Sequence, residues 1–144
     1  MELAFAQAQL AAQAGEVPVG AVVVDSISGQ VLAQAHNLTE CQQDPTAHAE
    51  MLVLREACRL LGTPRLPSCD LYVTLEPCPM CAQAISFARI RRLYFGAYDP
   101  KGGGVENGAR IFHQASCHHA PEVIGGMEET ACAQLLKTFF AAKR

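Results

Sequence analysis

At 144 residues the chain has the length of one ordinary domain, 1–144, which is enough to bury a hydrophobic core without disulfide bonds. Half of the residues are apolar and 17% are charged, a balance that excludes an intrinsically disordered chain and predicts a soluble globular one. The formal net charge of −3 does not suggest a polyanionic partner, so a nucleic acid would have to be held by a local positive patch.

The N-terminal segment predicts an amphipathic helix over residues 1–14. It carries Glu2 and neither Lys nor Arg, which is not the pattern of a signal peptide. No apolar run reaches the roughly 18 residues that a membrane-spanning helix needs. Without a secretion signal, the seven cysteines are expected to stay reduced. We therefore expect a cytoplasmic protein that does not bind membranes.

A β-hairpin and a long helix are predicted next. Residues 17–25 and 30–36 are β-branched or alternating segments separated by a turn, which predicts two antiparallel strands. Asp44 is a candidate N-cap with Pro45 at the first helical position, and apolar residues then recur at helical spacing as far as Gly62.

The second half of the chain alternates strands with helices. This alternation predicts parallel crossovers and an α/β sheet covered by helices. The segment 97–108 is rich in glycine, which predicts a mobile loop rather than a regular element. The other predicted elements are a strand at 71–75, a helix opening at 77–79, a strand at 91–96, a short helix at 106–114, a weak strand at 122–124 and a final helix at 128–141.

Two short motifs carry the chemistry, His48-Ala49-Glu50 and Pro77-Cys78-Pro79-Met80-Cys81. Two thiolates one helical turn apart can bind the same zinc ion, and His48 supplies a third ligand of the preferred kind. Three protein ligands leave one position open, as in catalytic zinc sites, where a bound water has its pKa lowered to about 7. We expect one Zn²⁺ per chain, held by His48, Cys78 and Cys81, and no organic cofactor.

Glu50 is the candidate catalytic residue. It lies two positions after His48, so on a regular helix it points away from that ligand and toward substrate. A carboxylate there can take a proton from the zinc-activated water, pass it to a ring nitrogen and protonate the departing amine. The combination H-x-E with P-C-x-x-C is the signature of zinc nucleobase deaminases.

Beyond these motifs, the chain resembles the bacterial tRNA adenosine deaminases nearly end to end. The resemblance implies a cytidine deaminase-like three-layer α/β/α sandwich with a five-stranded mixed sheet, its first two strands antiparallel and the rest parallel. It also implies a homodimer that acts on the anticodon stem-loop of a tRNA. The segments that carry it are 16–21, Asn37, 44–50, 71–78, 80–81, 95–97, Asp99, Lys101 and 139–140.

The same resemblance implies a set of substrate contacts. Asn37 would hydrogen-bond the target nucleoside, and the turn 17–20 would line its pocket. Among the cations that could hold phosphates, Lys101 lies in the glycine-rich loop and Lys137 in the final helix. The complete set of expected substrate-binding residues is Asn37, Val17, Pro18, Val19, Gly20, Pro77, Asp99, Lys101 and Phe140.

The leading hypothesis is hydrolytic deamination of adenosine to inosine at the wobble position of an arginine tRNA. A first alternative keeps the chemistry and changes the substrate to a free nucleobase or nucleoside, of the guanine, cytosine or cytidine type. A second alternative is a non-catalytic zinc-binding module, in which Cys41, His36 or Cys69 would have to complete the coordination. Cys117, His118 and His119 resemble a second metal cluster but are predicted to be surface polar residues.

Overall fold

All 144 residues are described by the computed structural model. One mixed sheet organises the chain, with strand order β2-β1-β3-β4-β5. Its strands are β1 (Gly20–Asp25), β2 (Val31–His36), β3 (Cys69–Leu75), β4 (Arg92–Ala97) and β5 (Glu122–Ile124). The helices are α1 (Glu2–Gln13), α2 (Thr39–Gln42), α3 (Ala49–Leu61), α4 (Pro79–Phe87) and α5 (Glu129–Ala142), with a 3₁₀ turn at Ile111–His113.

The topology confirms the predicted five-stranded mixed sheet. Strand β1 pairs antiparallel with β2 on one side and with β3 on the other. Strands β3, β4 and β5 are parallel to one another. Helix α4 provides the crossover from β3 to β4, and the segment 98–121 provides the crossover from β4 to β5. Helices α1 and α5 pack on one face of the sheet and α3 and α4 on the other, which gives the predicted three layers.

Alternation along the strands divides the core between the two faces. Alternate residues of β3 and β4, namely Leu71, Val73, Leu93 and Phe95, are fully buried in the cluster that also contains residues of α3 and α4. Burying side chains of this size contributes roughly 1.5–3 kcal/mol each. The opposite face receives α1 through a stripe of small residues, Ala4, Ala8 and Ala11, all fully buried.

Gly20 allows α1 to lie directly on the sheet. A Cβ atom at Gly20 would lie 2.0 Å from the carbonyl oxygen of Ala4, which no side chain tolerates. This close approach fixes α1 beside the segment 16–19, which connects it to β1. The position of that connecting segment matters because it leads into the candidate site.

Several predicted boundaries were wrong. Helix α3 begins at Ala49 and not at Pro45, because Asp44 Oδ1 accepts hydrogen bonds from the amide and hydroxyl of Thr46 and so stabilises a turn. Strand β1 begins at Gly20 rather than at Val17, and α2 was not predicted. The helix expected at 106–114 is reduced to the 3₁₀ turn.

None of the helices combines the length and the apolar composition that crossing a membrane would require.

Candidate zinc centre and adjoining cavity

The three predicted zinc ligands lie at the N-termini of two neighbouring helices. His48 is the N-cap of α3 and Cys78 the N-cap of α4, and both have extended backbone angles. Cys81 follows in the first turn of α4, with Pro79 at its start. Helix N-termini favour negative charge, so the ends of α3 and α4 both stabilise thiolate ligands.

The spacing of the three side chains fits zinc. His48 Nδ1 lies 3.6 Å from Cys78 Sγ and 3.5 Å from Cys81 Sγ, and all three ligand atoms lie within 4.8 Å of one another. A tetrahedral ion with Zn–S of about 2.3 Å and Zn–N of about 2.0–2.1 Å would separate nitrogen from sulfur by about 3.6 Å. The donor set and its dimensions therefore match a zinc site.

The residues that could have completed a closed coordination lie elsewhere. The cluster consists of His48, Cys78 and Cys81 only. His36 directs Nδ1 to the carbonyl of Asn37, Cys69 is buried in the main core, and Cys41 is exposed. This arrangement does not supply the fourth protein ligand that a structural zinc module requires.

Hydrogen bonding within the cluster shifts the pKa values of the two thiols in opposite directions. The bond with Cys81 is the largest influence on Cys78 and lowers its pKa to about 4. The same bond, together with burial, raises the pKa of Cys81. The bond with Cys78 also raises the pKa of His48 above its ordinary value. Cys78 is thus held as a thiolate, the form that binds metal.

Glu50 lies beside the ligands in a desolvated position. Its side chain is buried, and Oε2 is 4.0 Å from His48 Nδ1. Burial is the main reason that the pKa of Glu50 rises to about 7. A carboxyl group of this kind can both accept and release a proton near neutral pH, which suits it to proton transfer.

A cavity of about 300 Å³ opens over the cluster. That volume is at the lower end of the range for small-molecule sites and suits one base better than a larger ligand. Of the predicted substrate-binding residues, four line this cavity: Val17, Val19, Asn37 and Asp99. The other lining residues are Thr39, His48, Ala49, Glu50, Leu75, Glu76, Cys78 and Gly102.

A wider groove of about 570 Å³ continues from the cavity, sharing Val17, Leu75, Asp99 and Gly102 with it. Lys101 and Phe140, two further predicted contacts, line this groove. Tyr98, Ala97, Ala133, Leu136 and Lys137 complete its walls.

The three remaining predicted contacts line neither the cavity nor the groove. Gly20 packs against α1. Pro18 is buried in the connecting segment, and Pro77 is buried with its carbonyl accepting a bond from Gly104. The structure gives these three residues packing contacts, whereas the pocket is formed by their neighbours in sequence.

Sequence reasoning missed two buried carboxylates that hold the cavity wall. Glu16 accepts bonds from the amides of Glu40 and Cys41 and from Asn37 Nδ2, at 3.2, 2.6 and 3.4 Å. Glu76 accepts five bonds from the loop after β4. Burial raises the pKa of Glu76, but the bonds from Asp99 and Asn107 outweigh it and leave the pKa below its ordinary value.

A sequence signal existed for Glu76. It follows the carboxyl end of a buried strand, where functional residues of α/β sheets gather, and a glycine-rich segment follows the next strand along the chain. Glu16 carries no comparable signal, because it lies between a helix and the start of a strand and not at the carboxyl end of one. Its partners are Asn37, Glu40 and Cys41.

Comparison with known proteins agrees with this geometry. Residues 1–97 match the family described as the cytidine and deoxycytidylate deaminase zinc-binding region. The tRNA-specific adenosine deaminase of Agrobacterium fabrum is 58% identical over 144 residues, all of this chain and 93% of the relative.

Two solved structures extend the comparison. One, from a study of A-to-I editing by tRNA:A34 deaminases at the wobble position of transfer RNA, superposes with a TM-score of 0.91 at 58% identity, covering 94% of this chain and 97% of the other. A guanine deaminase from Bacillus subtilis has a TM-score of 0.65 at 30% identity, with 99% and 90% of the two chains covered. The similarity to the adenosine enzyme is therefore greater in both sequence and structure.

Proposed function

The chain belongs to the tRNA-specific adenosine deaminases, within the cytidine and deoxycytidylate deaminase family, and we propose that it converts adenosine to inosine at the wobble position of an arginine tRNA. The observation that carries this proposal is the cluster of His48, Cys78 and Cys81 at a cavity that also contains Glu50. The reaction replaces the 6-amino group of adenine by oxygen from water and releases ammonia.

The residues of the cavity have two roles, metal binding and proton transfer. His48, Cys78 and Cys81 hold zinc, which when bound acts as a Lewis acid and makes water a nucleophile near neutral pH. Glu50 takes up a proton from the attacking water and donates it at N1 of the adenine ring. It then takes the remaining proton from the hydroxyl group added at C6 and gives it to the amine, which leaves as ammonia. Its burial keeps bulk water from competing for that proton.

Two polar residues of the wall orient the nucleoside. Asn37 lines the cavity with its amide held by Glu16 and Thr39, so it presents a fixed hydrogen-bonding group to the substrate. Asp99 lies where the cavity joins the groove and lines both. We assign these side chains to substrate binding, with Val17 and Val19 as the apolar surface against which the base packs.

The groove is the proposed path of the RNA around the target nucleotide. Lys101 and Lys137 supply positive charge there, although the chain as a whole is acidic. Tyr98 and Phe140 are exposed aromatic rings on which neighbouring unpaired bases can stack. Bases in an anticodon loop are already unpaired, so extruding one costs less than the few kcal/mol that a duplex demands.

A homodimer is supported by an apolar groove on the outer surface of α3 and α4. Phe87 projects there with 67% of its surface exposed, and the groove also includes Met51, Leu54, Cys58 and Ala84. An exposed apolar surface of this kind favours an interface, and we assign it to a second copy of this chain. Substituting Phe87→Glu should shift the mass measured by light scattering from dimer to monomer, and an unchanged dimer mass would remove this groove as the interface.

A cytoplasmic location follows from the proposed substrate and agrees with the chemistry of the cysteines. None of the seven forms a disulfide bond, as expected in a reducing compartment.

The decisive test compares substrates on zinc-loaded protein. Initial rates should be measured on an arginine anticodon stem-loop, free adenosine, guanine and cytidine. We expect inosine to form in the stem-loop at position 34 and the three small molecules to be turned over at least about 100-fold more slowly, since they make no contacts with the groove. Fast turnover of guanine with none of the stem-loop would instead assign the chain to free-base deamination.

A further inference from the structure

The loop of residues 98–107 is organised around one buried carboxylate. Glu76 is 2% exposed, and its Oε1 accepts bonds from the amides of Val105, Glu106 and Asn107 at 3.2, 2.8 and 2.9 Å. Its Oε2 accepts bonds from the Asp99 amide and from Asn107 Nδ2, both at 2.8 Å. A single side chain therefore joins both ends of the loop to the end of β3.

Two glycines let the loop backbone approach this carboxylate and the ligand segment. A Cβ atom at Gly103 would lie 2.6 Å from Glu76 Cδ, and one at Gly104 would lie 2.5 Å from the nitrogen of Pro79. Gly104 also donates its amide to the carbonyl of Pro77 at 2.8 Å. The glycine content that predicts a mobile loop instead allows the loop backbone to pack closely around Glu76.

The consequence reaches the substrate cavity through Asp99. The Asp99 amide bonds to Glu76, and the Asp99 side chain in turn accepts bonds from the amides of Lys101 and Gly102 at 3.2 and 2.9 Å. Asp99 and Gly102 line both the cavity and the groove. Glu76 also lines the cavity, but its oxygens are already occupied by five donors.

We propose that Glu76 is a positioning residue, which holds the loop 98–107 so that Asp99 and Gly102 form a preorganised wall for the nucleotide. It therefore sets substrate affinity and leaves the chemical step to other groups. The kinetic part of this inference rests on the proposed function. The mobility of the loop can be measured without any substrate.

The variant Glu76→Gln replaces one acceptor oxygen by an NH₂ group. The fewest bonds are lost when this group takes the place of Oε2, which accepts from two donors, whereas Oε1 accepts from three. The bond to the Asp99 amide is therefore the one most easily lost. The matched control is Glu106→Gln, which removes an exposed carboxylate from the same loop. Trypsin cleavage after Lys101 reports loop opening, with cleavage after Arg65 in the loop before β3 as the internal reference.

We expect Glu76→Gln to raise KM for the stem-loop about tenfold while kcat changes less than about threefold, since the lost hydrogen bond to a charged acceptor positions the wall that binds substrate and takes no part in the chemistry. Zinc content should equal that of the wild type. Cleavage after Lys101 should accelerate about fivefold relative to Arg65, because local opening becomes easier. Glu106→Gln should match the wild type in all of these measurements.

Wild-type KM and wild-type cleavage in folded Glu76→Gln protein would overturn the proposal, as would a loss confined to kcat. Should Glu76→Gln fail to fold by circular dichroism, Asn107→Ala replaces it, since it removes one of the five bonds and should raise KM about threefold. Unchanged KM and cleavage in that variant would also overturn the proposal. If the wild type itself turns over no stem-loop, the proposed function fails, and the cleavage measurements still decide the role of Glu76.

Discussion

The zinc ligands and the wall of the cavity above them are built in different ways. The ligands come from two continuous motifs, 48–50 and 77–81, each located at the start of a helix. The wall comes from separate loops, with Asn37 and Asp99 held in place by the buried carboxylates of Glu16 and Glu76. The metal centre is thus encoded locally, whereas the wall depends on hydrogen bonds between distant parts of the chain.

This difference predicts different responses to substitution. Removing a ligand leaves a zinc ion with too few donors, so both metal and activity should be lost together. Removing a hydrogen bond that supports the wall leaves the metal in place and weakens only substrate binding. Its effect should therefore be graded and appear mainly in KM.

The largest effect is expected for Cys81→Ala. Cys81 is fully buried within the cluster, and zinc content should fall from about one per chain to below about 0.1, with loss of detectable deamination. Metal analysis and initial rates measure both quantities. Cys132→Ala is the matched control, since Cys132 is also buried but packs against Gly96, and it should keep its zinc. Full zinc loading of Cys81→Ala would mean that the cluster is not the metal site.

Glu50→Gln should separate metal binding from chemistry. The substitution preserves shape and removes the acid–base group, so kcat should fall by about 10²–10⁴ while zinc content is retained. Single-turnover rates on the stem-loop measure this loss. Glu56→Gln is the control on the same helix, because Glu56 is exposed and pairs with Arg59. Retained turnover in Glu50→Gln would exclude Glu50 from proton transfer.

A smaller effect is expected for Glu16→Gln, which weakens the support of Asn37 and of the first turn of α2. One acceptor oxygen is replaced by an NH₂ group that cannot accept from an amide, so KM should rise about three- to tenfold with zinc and kcat largely preserved. Steady-state kinetics on the stem-loop provide the measurement. Glu40→Gln, at a neighbouring exposed carboxylate, should behave like the wild type. Equal KM values in the two variants would show that Glu16 does not support the wall.

The same difference explains what could be predicted from the sequence. The helices and strands carry local periodicity, and the number of strands, their directions and the three layers agree with the family resemblance stated on those segments. The grouping of His48, Cys78 and Cys81 could be expected because each motif places its ligand at a helix start. The start of α3 was misplaced by four residues, from 45 to 49, because Asp44 and Pro45 resemble a helix start and instead form a turn.

The wall could be predicted only in part, because its contacts join residues far apart in sequence. The turn 17–20 was identified as a unit, yet only Val17 and Val19 face the cavity, since Gly20 is covered by α1. Glu16 and Glu76 carry no periodicity that marks them as buried. Their environment arises when the loops fold over them, and composition alone classes such residues as exposed.

The smallest effect on substrate binding is expected for a substitution in the groove, which lies at the protein surface beyond the cavity wall. Lys137 is an exposed cation lining it, whereas Arg91 and Arg92 are paired with Asp70 and Glu122. Lys137→Gln should weaken stem-loop binding a few-fold and reduce the salt dependence of log K by about 0.7, the value for one phosphate contact on a single strand. Titrations at several salt concentrations measure this slope. Arg65→Gln removes an exposed charge that lines neither the cavity nor the groove and should leave it unchanged. Equal slopes for Lys137→Gln and the wild type would place the RNA backbone outside the groove.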